Sequence, residues 1–187
     1  MMQAVSQNNL LILKFADKNS KFYVRPDKIT GYTGARFSFG KDKEDRPYRK
    51  YDVYPVVNPE GEDSMIILAG DRSGIVKLTV EDGQQIYVSL NSLVAFSSAL
   101  KIADSNRHFY SRLSEDKLLL LSGPGDVYVE NNTSVLMRMG ISEGQENSFS
   151  ADRIVAFESS LFFEISKIST EKNSISFDGA GVIFFRN

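Results

Sequence analysis

The chain contains no cysteine, no tryptophan and a single histidine. Without cysteine there is no disulfide framework, no thiolate nucleophile, no Cys-type zinc site and no iron–sulfur ligation. One histidine, His108, cannot supply a multi-histidine metal cluster, and any Ser-His-Asp triad would have to be built on it alone. It lies in Asn106-Arg107-His108-Phe109-Tyr110, away from the recurring motifs described below. The carboxylate pairs Glu81-Asp82 and Glu115-Asp116 are chain neighbours, which point to opposite faces of a strand or sit in turns, a poor arrangement for paired acid–base work. Long apolar runs are also missing. Leu10 to Leu13 breaks at Lys14, too short for a membrane span or a signal segment, and no basic stretch precedes it. These absences lead us to expect a cytoplasmic, non-enzymatic protein with no transmembrane segment, no cofactor and no metal.

What is present is ordinary globular material. The 187 residues are 42% hydrophobic, 25% charged and 11% aromatic, long and apolar enough to fold as a single compact unit without staples. The formal net charge of −2 hides an asymmetry. Residues 21–50 hold nine bases and four acids, a surplus of five positive charges, so the remainder nets −7. Such a segment can form an anion-contact surface, and Arg25, Lys28, Arg36, Arg46, Arg49 and Lys50 are its candidate contacts. The mixed run Lys41-Asp42-Lys43-Glu44-Asp45-Arg46-Pro47 also fits a solvated loop.

Period-two patterning dominates. Gly74 to Val80 alternates apolar and polar residues, Glu81-Asp82-Gly83-Gln84 supplies turn chemistry, and Gln85 to Val88 resumes the pattern, which predicts a hairpin. Asp126 to Glu130, Ser174 to Phe177 and Val182 to Phe185 also read as strands, rich in β-branched and aromatic residues. No long amphipathic helix is found; Ser105 to Ser114 is the best short candidate. Phe39 to Met65, with Pro47, Pro55 and Pro59, reads as loop, with a strand over Tyr51 to Val57 as the alternative.

Repetition is the informative feature. Val24 to Tyr32, Val88 to Phe96 and Phe149 to Phe157 align, with Ile29, Leu93 and Ile154 spaced 64 and 61 residues apart. Asp27, Asn91 and Asp152 take the corner position, where such side chains can bond the backbone ahead; a cation or ligand site lined by the three is the sharper reading. Gly31, Ala95 and Ala156 mark close backbone approach, and Tyr32, Phe96 and Phe157 are expected to fill a shared interior. A second motif recurs: Leu121 to Val129 aligns with Phe177 to Phe185, and more distantly with Leu68 to Val76, each carrying paired glycines before a strand. Such glycines mark a tight turn or a bulge. A phosphate-cradling loop needs a following helix and usually a lysine, and neither follows.

These repeats divide the chain into modules of about 10–60, 66–115 and 118–175 with a closing strand 176–187, an all-β architecture. Leu118 to Val129, Ile154-Val155-Ala156-Phe157 before Phe163-Glu164-Ile165, and Phe177 to Phe185 resemble the altered-inheritance-of-mitochondria family, over roughly residues 66–187 and, in the first module, Pro26 to Gly34. That family is similar in fold to the tryptophan RNA-binding attenuation proteins. The resemblance implies three repeated antiparallel β-sandwich modules around a pseudo-threefold axis, and it supplies no enzymatic residues. The chain departs from many relatives in having Gly40 to Lys50 in place of a glycine-rich stretch after the first module. Two functions follow as expectations. The first is a non-catalytic interaction or scaffold protein with a protein partner, or a homo-oligomer. The second is binding of RNA or another polyanion through the basic segment 21–50, which overall acidity disfavours.

Overall fold

The computed structural model describes residues 2–15, 17, 21–33, 38–39, 51–57, 64–103, 118–133, 135–145, 147–167 and 173–186. Among them there is no α-helix. The strands are β1 (Met2–Gln7), β2 (Leu10–Phe15), β3 (Lys21–Val24), β4 (Ile29–Thr33), β5 (Ser38–Phe39), β6 (Tyr54–Val57), β7 (Ser64–Ala69), β8 (Gly74–Val80), β9 (Gln85–Ser89) and β10 (Leu93–Ser97). They continue as β11 (Lys101–Ile102), β12 (Leu118–Ser122), β13 (Gly125–Asn131), β14 (Met137–Ile141), β15 (Asn147–Ser150), β16 (Ile154–Glu158), β17 (Phe162–Lys167), β18 (Asn173–Asp178) and β19 (Gly181–Phe185). Single 3-10 turns, Pro26–Lys28 and Ala151–Arg153, precede β4 and β16.

Four antiparallel sheets result. In order across each, sheet I is β1-β2-β7-β4, sheet II is β5-β6-β3-β10-β13-β8, sheet III is β11-β12-β9-β16-β19-β14, and sheet IV is β15-β18-β17. Three hydrophobic layers lie between successive sheets. Leu11, Leu13, Phe15, Ile66 and Leu68 of sheet I meet Phe22, Val24 and Val56 of sheet II. The other face of sheet II, with Tyr23, Leu78, Val80, Phe96 and Val127, meets Ile86, Val88, Leu119 and Leu121 of sheet III. The far face of sheet III, with Tyr87, Leu120, Phe157 and Ile183, meets Ile175 and Phe177 of sheet IV. Successive side chains of a strand point to opposite faces. Sheets II and III are covered on both, which is why Ile86-Tyr87-Val88 and Val127-Tyr128-Val129 are unbroken apolar runs instead of alternating ones.

Two expectations are corrected here. The segment from Gly74 to Val88 is strand, turn, strand, but β8 and β9 do not pair: β8 bonds β13 in sheet II, and β9 bonds β12 and β16 in sheet III. The turn, closed by Gln84 N–H donating to the Glu81 carbonyl at 3.1 Å, carries the chain across a hydrophobic layer. Leu78 and Val80 then face Ile86 and Val88 through side chains. Period-two patterning marks strands and says nothing of their partners, so an arch and a hairpin read alike. The second correction concerns the aromatic corner residues. Phe96 and Phe157 are fully buried, but in different layers, and Tyr32 is 65% exposed. Phe96 stacks on Tyr23 across the β3–β10 pair with ring centroids 5.0 Å apart, and Phe157 stacks on Tyr87 across β9–β16 at 5.1 Å. Tyr32 sits on β4, an outer strand of sheet I.

Other expectations find their structural counterpart. All three corner strands carry a bulge, which the sequence suggests for the paired-glycine motif instead, with register shifts between Ile29 and Gly31, Leu93 and Ala95, and Ile154 and Ala156. Of the alternative strand over Tyr51 to Val57, the last four residues, Tyr54–Val57, form β6, inside the segment that otherwise reads as loop. The recurring glycines are packing sites: a Cβ on Gly125 would lie 2.7 Å from Leu100, and one on Gly181 would lie 2.9 Å from Leu161, so only glycine lets those buried leucines close the turn. The short helix weighed over Ser105 to Ser114 lies outside the described residues.

Truncating either stacked ring removes a buried aromatic and leaves a cavity, so Phe96→Ala and Phe157→Ala should each destabilise by about 3–5 kcal/mol. Tyr32→Ala should cost under about 1 kcal/mol. Urea unfolding of the three variants checks this, and equal costs at all three positions would contradict the burial assignment.

Candidate functional site

The charged and polar side chains with the most developed surroundings gather where the corner turns meet the ends of β13 and β19. Lys28 closes the first 3-10 turn and is only 6% exposed. Its ammonium lies 2.6 Å from Glu130 Oε1 and 2.5 Å from Asp71 Oδ2. Glu130, on β13, is 1% exposed, whereas the Asp71 side chain is largely in solvent. The Glu130 N–H donates to the Ser92 carbonyl at 2.6 Å. Ser92, fully buried in the second corner, accepts a hydrogen bond at its Oγ from Arg186 Nη2. Arg186 follows β19; its Nη1 donates to the Asp152 carbonyl at 2.7 Å and its N–H to the Arg153 carbonyl at 2.9 Å. Glu130 and Arg186 thereby link the first corner to the second and the second to the third.

Arg25 completes the first corner. Its Nη1 donates to the Leu90 carbonyl at 2.9 Å and its N–H to the Val94 carbonyl at 3.0 Å. Its Nε and Nη2 form a two-pronged pair with the Asp27 carboxylate at 3.0 and 3.2 Å. Asp27 and Asp152 are corner residues as expected, but their carboxylates accept from the side chains of Arg25 and Ser150, two residues back, and not from the backbone ahead. That corrects the account of why those residues stand there. Among the described residues no group of three or more His, Cys, Asp or Glu is arranged to hold a metal ion.

The electrostatics of Lys28 are a contest. Burial pulls its pKa down, but the hydrogen bonds and charges of Asp71 and Glu130 outweigh it and leave the ammonium above its ordinary 10.5. Lys28 holds the Asp71 carboxyl below its usual 3.8, mainly through their hydrogen bond. The Lys28 contribution is whole below pH 10.5 and fades as pH rises through its raised value. The Asp71 contribution is whole above pH 3.8 and fades as pH falls through its lowered value. Lys28 and Asp71 are therefore both charged across the neutral range. Asp71 is so exposed that water screens its share, and Glu130 is the partner that matters.

Of the six candidate anion contacts, Arg25 and Lys28 are thus engaged within the fold, while Arg36, Arg46, Arg49 and Lys50 lie outside the described residues, as do His108 and Glu115-Asp116. The sequence reading missed Glu130, Ser92 and Arg186. A signal was present: Glu130 and Arg186 directly follow the aligned segments ending at Val129 and Phe185, and Lys28 and Ser92 occupy one position of the aligned corners. Two aligned positions therefore bond each other twice, once as Lys28–Glu130 and once as Ser92–Arg186.

No family model and no curated protein matches the chain. Among solved structures it is similar to the protein SPYM3_0169 from Streptococcus pyogenes, determined by X-ray crystallography. The TM-score is 0.75 at 14% sequence identity, covering 100% of this chain and 94% of that one. At that identity the likeness is one of fold. No helix among the described residues is long and apolar enough to cross a membrane.

Removing one member of a buried ion pair strands the other, so Glu130→Ala should cost about 3–5 kcal/mol, while Lys28→Met combined with Glu130→Leu should recover most of that loss. Denaturant titration of the single and double variants checks it; a double variant as unstable as the single one would show that shape, not charge, is at stake.

Tyr128, buried between sheets I and II, has its phenol pushed up from 10.0 to about 12, first by burial and then by the Asp126 charge. A raised pKa gives stability that is whole below pH 10 and is lost as pH climbs toward 12. The urea midpoint should accordingly fall between pH values of about 9 and 11.5, and Tyr128→Phe should blunt that fall.

Proposed function

We propose that this chain is a non-catalytic interaction or scaffold protein of the cytoplasm, built from three copies of one six-stranded unit set around a pseudo-threefold axis. The strand pairings support the arrangement. The orders β4-β7-β2, β10-β13-β8 and β16-β19-β14 have the same form, as do β5-β6-β3, β11-β12-β9 and β17-β18-β15. The units then run from β2 to β7, β8 to β13 and β14 to β19. β7 belongs to the first because it bonds β2 and β4. Successive units are stitched by β3 with β10 and by β9 with β16. The next member of that series is β15 with β4, the outer strands of sheets IV and I. This is the organisation that the resemblance to the altered-inheritance-of-mitochondria family and to the fold of the tryptophan RNA-binding attenuation proteins implies.

The observation that carries the non-catalytic reading is the engagement of Lys28, Glu130, Ser92 and Arg186 in linking corners of the fold. Groups largely buried and bonded to one another in this way have a structural task. What the fold offers outward is loops and sheet rims, which suit binding to another protein. RNA or polyanion binding through segment 21–50 is the second reading. With Arg25 and Lys28 engaged, Arg36, Arg46, Arg49 and Lys50 would have to carry it.

Two measurements test these statements. By analogy with Phe96 on Tyr23 and Phe157 on Tyr87, a third stitch of β15 with β4, which end separate sheets among the described residues, would set Tyr32 opposite Ser148. In a chain without native cysteine, Tyr32→Cys with Ser148→Cys should therefore oxidise to an intrachain disulfide, since cross-strand neighbours fall within bridging distance. Failure to form it counts against the closed threefold arrangement. For function, titration of a labelled single-stranded RNA should show weak binding that falls steeply between about 50 and 200 mM salt. Sub-micromolar affinity at physiological salt, abolished by neutralising Arg46, Arg49 and Lys50, would favour the polyanion reading.

A further inference from the structure

We infer that the outer edge of β14 is an interface with a second copy of this chain, the two β14 strands pairing antiparallel about a twofold axis through Met139. β2, β8 and β14 stand last in their runs of paired strands β4-β7-β2, β10-β13-β8 and β16-β19-β14. The edge of β2 is covered by β1 through six residue pairs, Met2 opposite Phe15 to Gln7 opposite Leu10. At the start of β8, the Ile75 N–H donates to the Asn8 carbonyl, in the β1–β2 turn, at 2.8 Å. β14 ends sheet III with no strand beyond it among the described residues.

The sequence of this strand, Met137-Arg138-Met139-Gly140-Ile141, carries little that would discourage pairing. It has no proline and no charge on its core-facing side, two of the devices that protect an edge, and its one charge is Arg138. Met137 is 42% exposed and Val135, just before it, 68%. The approach to the strand is held in place, with Asn131 Nδ2 and Thr133 Oγ1 donating to the Val135 carbonyl at 2.6 and 2.8 Å.

One register pairs all five residues of the strand. An axis through Met139 sets Arg138 opposite Gly140 of the second copy, and Met137 opposite Ile141, each twice. No like charges then meet, whereas an axis through Arg138 would set two guanidiniums face to face, which is destabilising across a strand pair. Nothing lies within 4 Å of where a Gly140 side chain would begin, so an arginine stem has room to lie there. A twofold axis makes both contacts identical and closes the assembly at two copies.

One strand per copy is a small interface, so the dimer is sought by sedimentation velocity at about 100 µM protein. The expected mass is twice that of the chain. Gly140→Lys places lysine opposite Arg138 of the other copy, and it should yield a monomer whose melting curve matches the parent's, because the site is open in the single chain. Adding Arg138→Glu to Gly140→Lys turns both repulsive pairs into attractive ones and should restore the dimer. In addition, Arg138→Cys with Gly140→Cys should oxidise to a covalent dimer. A wild-type chain that stays monomeric, a Gly140→Lys dimer, or a folded double-charge variant that remains a monomer would each overturn the inference. It rests on the edge of one sheet, and its failure would leave the intrachain disulfide result, and so the threefold proposal, untouched.

Discussion

Glu130 sits at the end of a strand that has neighbouring strands on both sides and hydrophobic layers over both faces, and Lys28 is what makes a carboxylate tolerable there. The cost of moving either charge out of water is several kcal/mol. Their contact offsets that cost only in one geometry, with the first corner turned so that its last residue points at the end of β13. The pair is better understood as a pin that fixes how sheets I and II meet than as a net source of stability. Ser92 and Arg186 occupy the aligned positions and make the equivalent link without an ion pair, through a hydroxyl and two carbonyls of the third corner. The geometry is common to both links while the chemistry differs. The place of the contact is therefore what the fold requires, and its chemical type is free to vary.

Much of the architecture was legible in the residues. Apolar and β-branched runs bounded by glycine marked β8, β9, β13, β18 and β19, and the three aligned segments marked the turns before β4, β10 and β16, though not the bulges that follow them. What was not legible was partnership. β8 and β9 look like a hairpin because a tight turn and two period-two strands are common to hairpins and arches. The distinction lies in whether backbones or side chains face each other, which distant β12, β13 and β16 decide. Tyr32 failed for a related reason. Burial of the kind Phe96 and Phe157 have depends on a neighbouring strand bringing a ring, Tyr23 or Tyr87, and β4 ends its sheet with only β7 beside it among the described residues. The polar cluster was hidden by counting. Lys28 was one of nine positive charges in a basic stretch, and only the strand pairings show that it faces Glu130, 102 positions later.

The likeness to the Streptococcus pyogenes protein at 14% identity fits this division between place and chemistry. A layered sheet stack asks for apolar side chains on both faces, a small residue at each tight approach such as Gly125 and Gly181, and some polar link at the corners. Each demand can be met by several residue types, so a fold can persist while the sequence changes almost throughout. Fold likeness of this kind leaves function to be argued from this chain's own surfaces.

The arch from β8 to β9 also governs how the chain can reach its native state. A hairpin can form alone in microseconds because its strands are neighbours in sequence. An arch gains nothing until each arm finds its own sheet, so β9 waits for β12 and β16, and β8 for β13. For this part of the chain, early and cheap steps of folding are therefore scarce, and loop closure must be met before its hydrogen bonds repay it. During synthesis, its first hundred residues must stay soluble with β8, β9 and β10 still missing partners that lie downstream.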